Sequence, residues 1–311
     1  MKQPKSEENM LISGKCSCCP RKCGAIRLDN TGNGFCQSGK MLRVARAAPH
    51  FGEEPCISGT RGAGTIFFTG CNLRCVFCQN HEISRNSGDY ELVTVEKLRE
   101  IMLRLRDSGV HNLDLVTPTH YSEQIAEALS GIDLGIPVVW NSSGYESVDT
   151  LKMLDGLVQV YMPDYKYASS SLAKKYSYAE DYPEVAAEAL KEMFRQRGEY
   201  RIDENGLLTS GLLIRHLILP GSEENTENAM DVIDFVADTF PEASVLFSLM
   251  SQFTPMPESS VFPELRGRVS AETNEMLKHY MKTRHLEDGY WQEPAAATDQ
   301  MIPKFDGAGT E

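Results

Sequence analysis

Three cysteines stand close together directly after an apolar run. Cys71, Cys75 and Cys78 lie within eight residues, in the stretch "GTIFFTGCNLRCVFCQN". Three thiolates can hold three corners of a 4Fe–4S cluster and leave the fourth iron without a protein ligand. An open position of this kind distinguishes a metal site that binds a substrate from a closed structural site. The spacing therefore predicts a cluster with one free coordination position, where a small molecule can bind.

Two other interpretations of this loop are consistent with the same residues. A zinc ion takes four ligands, and His81 lies close enough in the chain to complete a set with the three thiolates. The three thiols could also be inert, with no metal at all.

A second group of cysteines lies nearer the amino terminus. All nine cysteines of the chain fall within its first 78 residues, and four of them have the spacing C-x2-C-x3-C-x12-C. These four are Cys16, Cys19, Cys23 and Cys36. Four thiolates make a closed site, so this segment predicts structural zinc or a fully ligated second iron–sulfur cluster, with free thiols as the remaining alternative. Cys18 and Cys56 are left over, and Cys56 is expected to be a small buried apolar residue.

Composition limits the partners. The chain has 311 residues, 41% hydrophobic and 24% charged, with a formal net charge of -13 and a pI near 5.1. This balance argues against nonspecific binding to nucleic acid or to anionic membranes, which need a positive surface. The first ten residues are polar, and no window approaches the roughly 20 apolar residues of a membrane span. We therefore expect a cytoplasmic protein that binds a small substrate or another protein.

From Gly64 onward, short apolar runs alternate with segments of helical length. Six such runs occur: "TIFFTG", "NLDLVTP", "IPVVWN", "LVQVYMPDYK", "GLLIRHLILPG" and "ASVLFSLM". Repetition of this kind predicts an α/β fold with parallel strands buried on both faces. The alternation fits an open doubly wound sheet and a partial barrel equally well. The final residues, "FDGAGTE", are expected to be frayed.

The carboxyl ends of parallel strands carry the functional groups in both architectures. Polar side chains are abundant at these positions. They are Thr117, Thr119 and His120 after the second run, Asn141 and Ser143 after the third, Asp164 and Lys166 after the fourth, and Arg215 within the fifth.

Several of these segments resemble a known family. The stretch "CNLRCVFCQN", with Phe77 before the third cysteine, is similar to the signature of the radical S-adenosylmethionine superfamily. Together with "CSCCPRKC", "FGEEPCISG", "VTPTHY", "MPDYK" and "RHLILPG", it most resembles uncharacterised homologues of the activating enzyme of pyruvate formate-lyase, a glycyl radical enzyme. The resemblance covers residues 16–255. It implies a partial (β/α)6 barrel over residues 61–285, a small cysteine-rich extension over residues 1–60 and a tail over residues 286–311.

The resemblance also implies a reaction. S-adenosylmethionine would bind the open iron and be cleaved reductively to methionine and a 5'-deoxyadenosyl radical, which would take a hydrogen atom from a protein glycine. The electron donor would be reduced flavodoxin or ferredoxin, and the substrate a glycyl radical enzyme or a peptide. Asp164 and Lys166 would be the catalytic pair that orders the substrate. Alternatives are the same chemistry on another peptide or on a small molecule, and a non-catalytic electron-transfer or binding module.

The candidate ligands of S-adenosylmethionine follow from the resemblance, with one departure. Many members of the superfamily carry Gly-Gly-Glu after the second barrel strand, where this chain reads "LVTPTHY". Acceptors for the methionine amino group would then come from Thr117, Thr119 or His120. The other expected contacts are Asn141, Ser143, Asp164 and Arg215.

Each of these residues also has a structural interpretation. His120 could cap the following helix, and Asn141 and Ser143 could be caps as well. Asp164 and Lys166 could form a surface ion pair. Arg215 lies in an apolar run, so its charge must either face the barrel lumen or pair with a neighbouring acid.

Overall fold

The computed structural model describes residues 15–291 and 305–310, which form an α/β fold. Its elements, in chain order, are β1 (Leu42–His50), α1 (Pro55–Ser58), β2 (Ala63–Phe68), α2 (His81–Ser84), β3 (Glu91–Val93), α3 (Val95–Asp107), β4 (Leu113–Val116), α4 (Ser122–Ser130), β5 (Val138–Ser142), α5 (Val148–Met153), β6 (Val160–Pro163), α6 (Ser170–Ser177), α7 (Tyr182–Arg197), β7 (Arg201–Ile202), β8 (Leu208–Leu217), α8 (Glu223–Thr239), β9 (Leu246–Met250), α9 (Ala271–Thr283) and β10 (Gly289–Trp291).

The strand order decides between the two predicted architectures. Within the described residues the sheet runs β10-β9-β8-β6-β5-β4-β2-β1-β3, and β7 pairs with β8 at the side. The strands from β2 to β10 are parallel along this path, whereas β1 is antiparallel to β2 and β3. The six predicted strands thus follow one another in chain order, with no reversal of the kind that a doubly wound sheet has at its switch point. The predicted fold class, a partial barrel with a cysteine-rich segment before it, is confirmed.

Contacts between strands that are far apart in the sheet order show that the sheet is curled. Four steps separate β8 from β2, which would be about 19 Å across a flat sheet. Yet the first residue of β2, Ala63, packs in one apolar cluster with Leu213 of β8 and Leu246 of β9. Cys56 and Ile57 of α1 join this cluster and close the barrel at the amino ends of the strands. Cys56 is 1% exposed, in keeping with a small apolar role.

The outer face of the sheet forms the larger core. Alternate residues of the strands point outward, among them Trp140 and Tyr161, and pack against the helices. The strands β2, β4, β5 and β6 are buried at every residue, which is why their sequences read as continuous apolar runs. The polar ends of these strands are consequently directed to the barrel mouth.

The local predictions hold with three exceptions. The predicted helix from residue 169 to 197 is two helices, because Tyr178 takes a left-handed conformation (φ 56°) at the end of α6. The strands β1, β3, β7 and β10 were not predicted. The final residues are not frayed: Gly307 donates to the Ala45 carbonyl at 2.9 Å, and Ala47 donates to the Ala308 carbonyl at 2.9 Å.

The predicted domain boundaries at residues 60 and 285 stay predictions. Residues 1–14 of the predicted extension, and residues 292–304 and 311 of the predicted tail, lie outside the described residues. In the described part of the chain, no helix has both the length and the apolar character needed to cross a membrane.

Candidate functional site

A cavity of about 270 Å³ opens at the carboxyl ends of the strands. We call it the mouth cavity. It is lined by side chains that follow or end all six predicted strands, together with the loop after β1. The polar and sulfur-bearing lining residues include His50, Glu53, Glu54, Cys71, Cys75, Cys78, Gln79, Asn80, Ser84, Thr117, Asn141, Ser142, Ser143, Asp164, Lys166, Arg215, Met250 and Gln252.

Cys71, Cys75 and Cys78, which we call the open cysteine site, lie together on this cavity. The backbone N–H of Leu73 donates to the Cys71 sulfur at 3.3 Å, and the Ser177 hydroxyl donates to the Cys75 sulfur at 2.9 Å. Burial, followed by the neighbouring Cys75 and Cys71 thiolates, raises the pKa of Cys78 to about 12. Three thiolates this close therefore need a positive group between them, which a metal cluster supplies. His81, the alternative zinc ligand, is not among the residues that line the cavity.

Arg215 points into the lumen and holds three elements together. Its Nη2 donates to Asn141 Oδ1 at 2.6 Å, its Nε to Asp164 Oδ1 at 3.1 Å and its Nη1 to Glu53 Oε2 at 2.9 Å. Both predicted alternatives for Arg215 thus occur in one arrangement, since it faces the lumen and pairs with acids there. The guanidinium fixes the spacing between β5, β6 and β8 at the cavity wall.

Asp164 and Lys166 form an ion pair inside the cavity. Lys166 Nζ lies 2.5 Å from Asp164 Oδ2, and the two side chains are 17% and 18% exposed, so this is not a surface pair. Burial opposes ionisation of Asp164, but Lys166 and Arg215 outweigh it and hold the pKa of that carboxyl below its usual value. The Tyr182 hydroxyl accepts from the Lys166 backbone N–H at 2.9 Å and donates to the Asp164 carbonyl at 2.8 Å. Both charges are therefore ionised and held in place.

Carboxylates outnumber cations around Arg215. Glu54 is 3% exposed, and its Oε2 has no hydrogen-bond partner among the described residues. Asp114 is fully buried on β4, where burial and then the Glu53 charge raise the pKa of its carboxyl well above the usual value. Asp114 is not among the residues that line the cavity, so its acidic side is formed by Glu53 and Glu54, whereas Lys166 places a cation beside the thiols.

Thr117 lines the cavity in a strained conformation. Its φ of +58° is the left-handed region, which a β-branched residue rarely adopts. Such strain costs on the order of 1–3 kcal/mol and is concentrated at functional sites. The turn places Thr117 on the cavity. It places Thr119 and His120, which follow Pro118, behind the cavity wall.

Thr119 and His120 do not line the cavity. Thr119 donates to Glu146 Oε1 at 2.6 Å, and His120 Nε2 lies 2.8 Å from the Thr69 carbonyl. Both side chains are 1% exposed. Burial lowers the pKa of His120 to about 3, so the ring is neutral and supports the loop after β2. It does not cap the following helix either.

Cys16, Cys19, Cys23 and Cys36, the amino-terminal cysteine site, line a second, small cavity. Arg21, Arg27, Phe35 and Asn72 also line it. Cys18 is not among the lining residues; Arg27 donates to its sulfur at 3.3 Å. Across residues 15–291 and 305–310, no three Cys, His, Asp or Glu side chains are grouped so that they could hold a single metal ion.

Sequence reasoning missed two residues that line the mouth cavity, and a third, Tyr182, that hydrogen-bonds to the backbone of Asp164 and Lys166. Glu53 and Glu54 belong to "FGEEPC", a loop that carries no strand-end signal, and Tyr182 lies in the first turn of a helix. The one available signal was Arg215, whose buried charge requires acidic partners from elsewhere in the chain.

Comparison with known proteins identifies a domain within the chain. Residues 65–197 match the model of the Radical SAM superfamily. Over 286 residues the chain is 29% identical to the uncharacterized protein MJ0674 of Methanocaldococcus jannaschii, covering 89% of this chain and 77% of the relative.

Solved structures with a similar arrangement were also found. SuiB of Streptococcus suis bound to the precursor peptide SuiA has a TM-score of 0.48 and 14% identity, covering 72% of this chain and 46% of SuiB. A spore photoproduct lyase mutant has a TM-score of 0.49 and 11% identity, covering 79% of each chain. This chain therefore spans about half the length of SuiB.

The matched superfamily implies a 4Fe–4S cluster and S-adenosylmethionine, and the residues present fit both. Two buried thiols, Cys71 and Cys75, and the half-buried thiol of Cys78 border one cavity, and the two buried ones accept hydrogen bonds that stabilise a thiolate. Beside them, the mouth cavity offers carboxylates for an amino group and a guanidinium for a carboxylate. A cluster held by these thiols would supply the electron for reductive cleavage of S-adenosylmethionine.

Proposed function

We propose that this protein, whose residues 65–197 match the model of the Radical SAM superfamily, cleaves S-adenosylmethionine reductively and uses the resulting radical to abstract hydrogen from a protein glycine. The observation that carries the proposal is the shared cavity: the three thiols and the charged strand ends line one space. A reacting atom bound there lies next to the open iron and to groups that can hold both ends of a methionine moiety.

Each residue has a defined role in this proposal. Cys71, Cys75 and Cys78 hold the cluster. Thr117, Asn141 and Ser143 offer polar groups to the cofactor, Asp164 accepts from its amino group or ribose, and Arg215 lies near its carboxylate. Thr119 and His120 support this wall from behind, through Glu146 and the Thr69 carbonyl.

The proposal that the acceptor is a protein glycine rests on Asp164 and Lys166. The segment "MPDYK" is similar to the Asp-x-Lys element of the activases. Lys166 Nζ contacts Asp164 at the cavity. Burial acts to lower the pKa of Lys166, but Asp164 and, after it, the nearby Cys75 raise that pKa above the usual value. An ammonium in this place can orient a peptide carbonyl beside the radical.

A second candidate is the same chemistry on another peptide or on a small molecule. The acidic side of the mouth cavity, formed by Glu53 and Glu54, favours an acceptor that carries a positive group. A non-catalytic electron carrier is less consistent with the chain, because a carrier has no use for a charged cavity beside an open iron.

We also propose a metal at the amino-terminal cysteine site, either zinc or a second iron–sulfur cluster. Reduced flavodoxin or ferredoxin is the proposed electron donor, and the cytoplasm the proposed location. Four thiols around one small cavity support the metal, and nine cysteines in one chain suit a reducing compartment.

The test uses the anaerobically reconstituted protein with S-adenosylmethionine, a reductant and a glycyl radical enzyme labelled with deuterium at the glycine Cα. We expect methionine, 5'-deoxyadenosine and transfer of deuterium into the latter. In Lys166→Ala, deuterium transfer should fall on the order of a hundredfold relative to cofactor cleavage, because a misplaced reacting atom loses about that much rate. Cleavage without deuterium from any glycyl radical enzyme of the same organism would leave the radical chemistry and exclude the activase function.

A further inference from the structure

We propose that the amino-terminal cysteine site holds a redox-active iron–sulfur cluster, and that it is where the electron enters the protein from a small acidic one-electron carrier. The inference rests on the proposed function, since it supposes that the open cysteine site is reduced. Under this proposal the metal of the amino-terminal cysteine site is iron and not zinc, and its role is electron transfer.

The two cysteine sites share a wall of four residues. Gly70, Cys71 and Leu73 line the mouth cavity, whereas Asn72 lines the cavity of the amino-terminal cysteine site. Gly70 has a φ of +90°, and a Cβ there would lie 2.9 Å from the Cys36 carbonyl oxygen. The backbone that carries one ligand set is thus in direct contact with the backbone that carries the other.

Arg21 connects the sites by hydrogen bonds. Its Nε donates to the Asn72 carbonyl at 2.7 Å, and its Nη2 donates to the Ser177 carbonyl at 3.0 Å. The hydroxyl of that same Ser177 donates to the Cys75 sulfur at 2.9 Å. One continuous path therefore runs from a side chain of the amino-terminal cysteine site to a ligand of the open cysteine site.

The amino-terminal cysteine site has the more exposed thiol. Cys23 is exposed, whereas Cys71 and Cys75 are 9% and 7% exposed and Cys78 is half-buried. A protein carrier can therefore bring its redox centre close to the amino-terminal cysteine site. A zinc ion in this position would have no redox chemistry with which to pass the electron on.

The surface around Cys23 suits an acidic partner. Residues 15–46 contain seven Lys or Arg residues, of which Arg43 is buried, and one acidic residue, whereas the whole chain has a net charge of -13. Lys15 and Lys22 are exposed there, and Ile26 and Leu28 are 59% and 57% exposed. Exposed apolar residues within a basic rim form a docking surface for a small carrier of opposite charge.

The electron balance is simple. One electron leaves the reduced carrier, which is oxidised by one unit, and reduces the iron–sulfur cluster at Cys16, Cys19, Cys23 and Cys36. The same electron then passes to the open cysteine site across the wall of residues 70–73. No bond forms or breaks in these transfers, and no proton moves.

The first experiment identifies the metal. The variant with Cys71, Cys75 and Cys78 all changed to Ala, reconstituted anaerobically, should bind about four irons and give the electron paramagnetic resonance signal of a reduced cluster. Wild-type protein should bind about eight irons. Zinc in the variant, or no metal in the variant, overturns the proposal.

The second experiment tests the entry point in a protein that retains all its cysteines. Lys15→Glu/Lys22→Glu should slow cluster reduction by reduced flavodoxin about tenfold at low salt, measured by stopped-flow bleaching, because electrostatic steering is lost. The difference should shrink at high salt, where surface charges are screened. The control, Lys191→Glu/Lys282→Glu, makes the same charge change on α7 and α9, away from the site.

Two outcomes would overturn the entry point. One is equal rates for wild type and Lys15→Glu/Lys22→Glu at low salt; the other is equal slowing by the control pair. Reduction by dithionite supplies the comparison with a reductant that needs no docking surface. These readouts do not depend on S-adenosylmethionine, so an enzyme that fails to cleave it would disprove the proposed function and leave this inference standing.

Discussion

The two cysteine sites are held in place by different means. The open cysteine site follows β2, and strands on both sides of the curled sheet surround it with charged side chains. The amino-terminal cysteine site lies in loops with few backbone hydrogen bonds, such as Cys16 to the Ala25 carbonyl at 3.0 Å and Lys22 to the Cys19 carbonyl at 3.1 Å. We infer that the barrel holds its site with or without metal, whereas the loops depend on metal for their structure.

The largest expected effect is on cleavage of S-adenosylmethionine, when one cysteine of each site is replaced in turn. Cys75→Ala should form no 5'-deoxyadenosine, since the open cluster loses a ligand. With dithionite as reductant, Cys19→Ala should retain cleavage, because dithionite reaches the open site without the relay. The measurement is chromatography of 5'-deoxyadenosine, with Cys56→Ala as the control for loss of a buried thiol. Cleavage by Cys75→Ala at the wild-type rate would show that the ligand assignment is wrong.

The charged network of the barrel gives the next largest effect. Arg215→Met should lower the free energy of unfolding by about 3–5 kcal/mol at pH 7, because Glu53 and Asp164 lose a buried partner. The folded-state pKa of Asp164 is depressed, so the stability it contributes is present above its usual pKa and is lost as pH falls. The part of the deficit that comes from Asp164 should therefore persist down to about pH 4 and shrink below it.

Urea unfolding at several pH values measures this deficit. The control is Arg195→Met, whose side chain is 58% exposed, and which should change the free energy of unfolding much less than Arg215→Met does. Equal losses for the two variants would mean that the lumen network does not hold the barrel together.

Replacing Glu146 should change the free energy of unfolding by a smaller amount and in the opposite direction, toward higher stability. Burial raises the pKa of its carboxyl from 4.5 to about 7, although Thr119 and Trp140 donate to it. The folded state then binds a proton that the unfolded state releases, so stability declines as pH rises from about 4.5 to 7. Glu146→Gln should be more stable than wild type at pH 8 by about 1–3 kcal/mol and equal to it near pH 4. A variant that is less stable at pH 8 would contradict this.

The smallest effect concerns the attachment of the amino-terminal loops. Thr150 on α5 donates to the Cys18 carbonyl at 2.8 Å, and Thr150→Val removes that bond at a cost of about 1 kcal/mol. Hydrogen exchange should become about fivefold faster in residues 15–28 and stay unchanged in the barrel strands. The control is Thr226→Val, which removes a bond within α8, to the Ser222 carbonyl. Faster exchange in β4 or β5 would mean that the two regions unfold together.

Much of the barrel could be predicted because its strands are buried on both faces. Such strands have continuous apolar sequences, and their carboxyl ends give the positions of Asp164, Lys166 and Arg215 directly. The strand β1 could not be predicted, because Arg43 and Arg46 interrupt its apolar sequence. Arg43 is nevertheless buried, and its guanidinium donates to the Asn30 carbonyl at 3.1 Å and to Asn86 Oδ1 at 3.1 Å. Those partners exist only in the folded chain.

The predicted positions of Thr119 and His120 failed for a related reason. The residues follow a strand end, as cavity residues do, but the left-handed turn at Thr117 redirects the backbone. A short 3-10 helix over Thr119–Tyr121 then places both side chains against buried partners. The residue types in this segment do not predict a left-handed conformation at Thr117.

The sequential order of the strands has a consequence for synthesis on the ribosome. Each parallel strand from β4 onward emerges after the neighbour with which it pairs, so the sheet can grow from one edge as translation proceeds. Glu53 and Asp114 emerge long before Arg215, the guanidinium that compensates them. We therefore expect the lumen of a nascent chain to stay hydrated until β8 has left the exit tunnel. If iron binds before that point, Cys71, Cys75 and Cys78 will still be exposed to water.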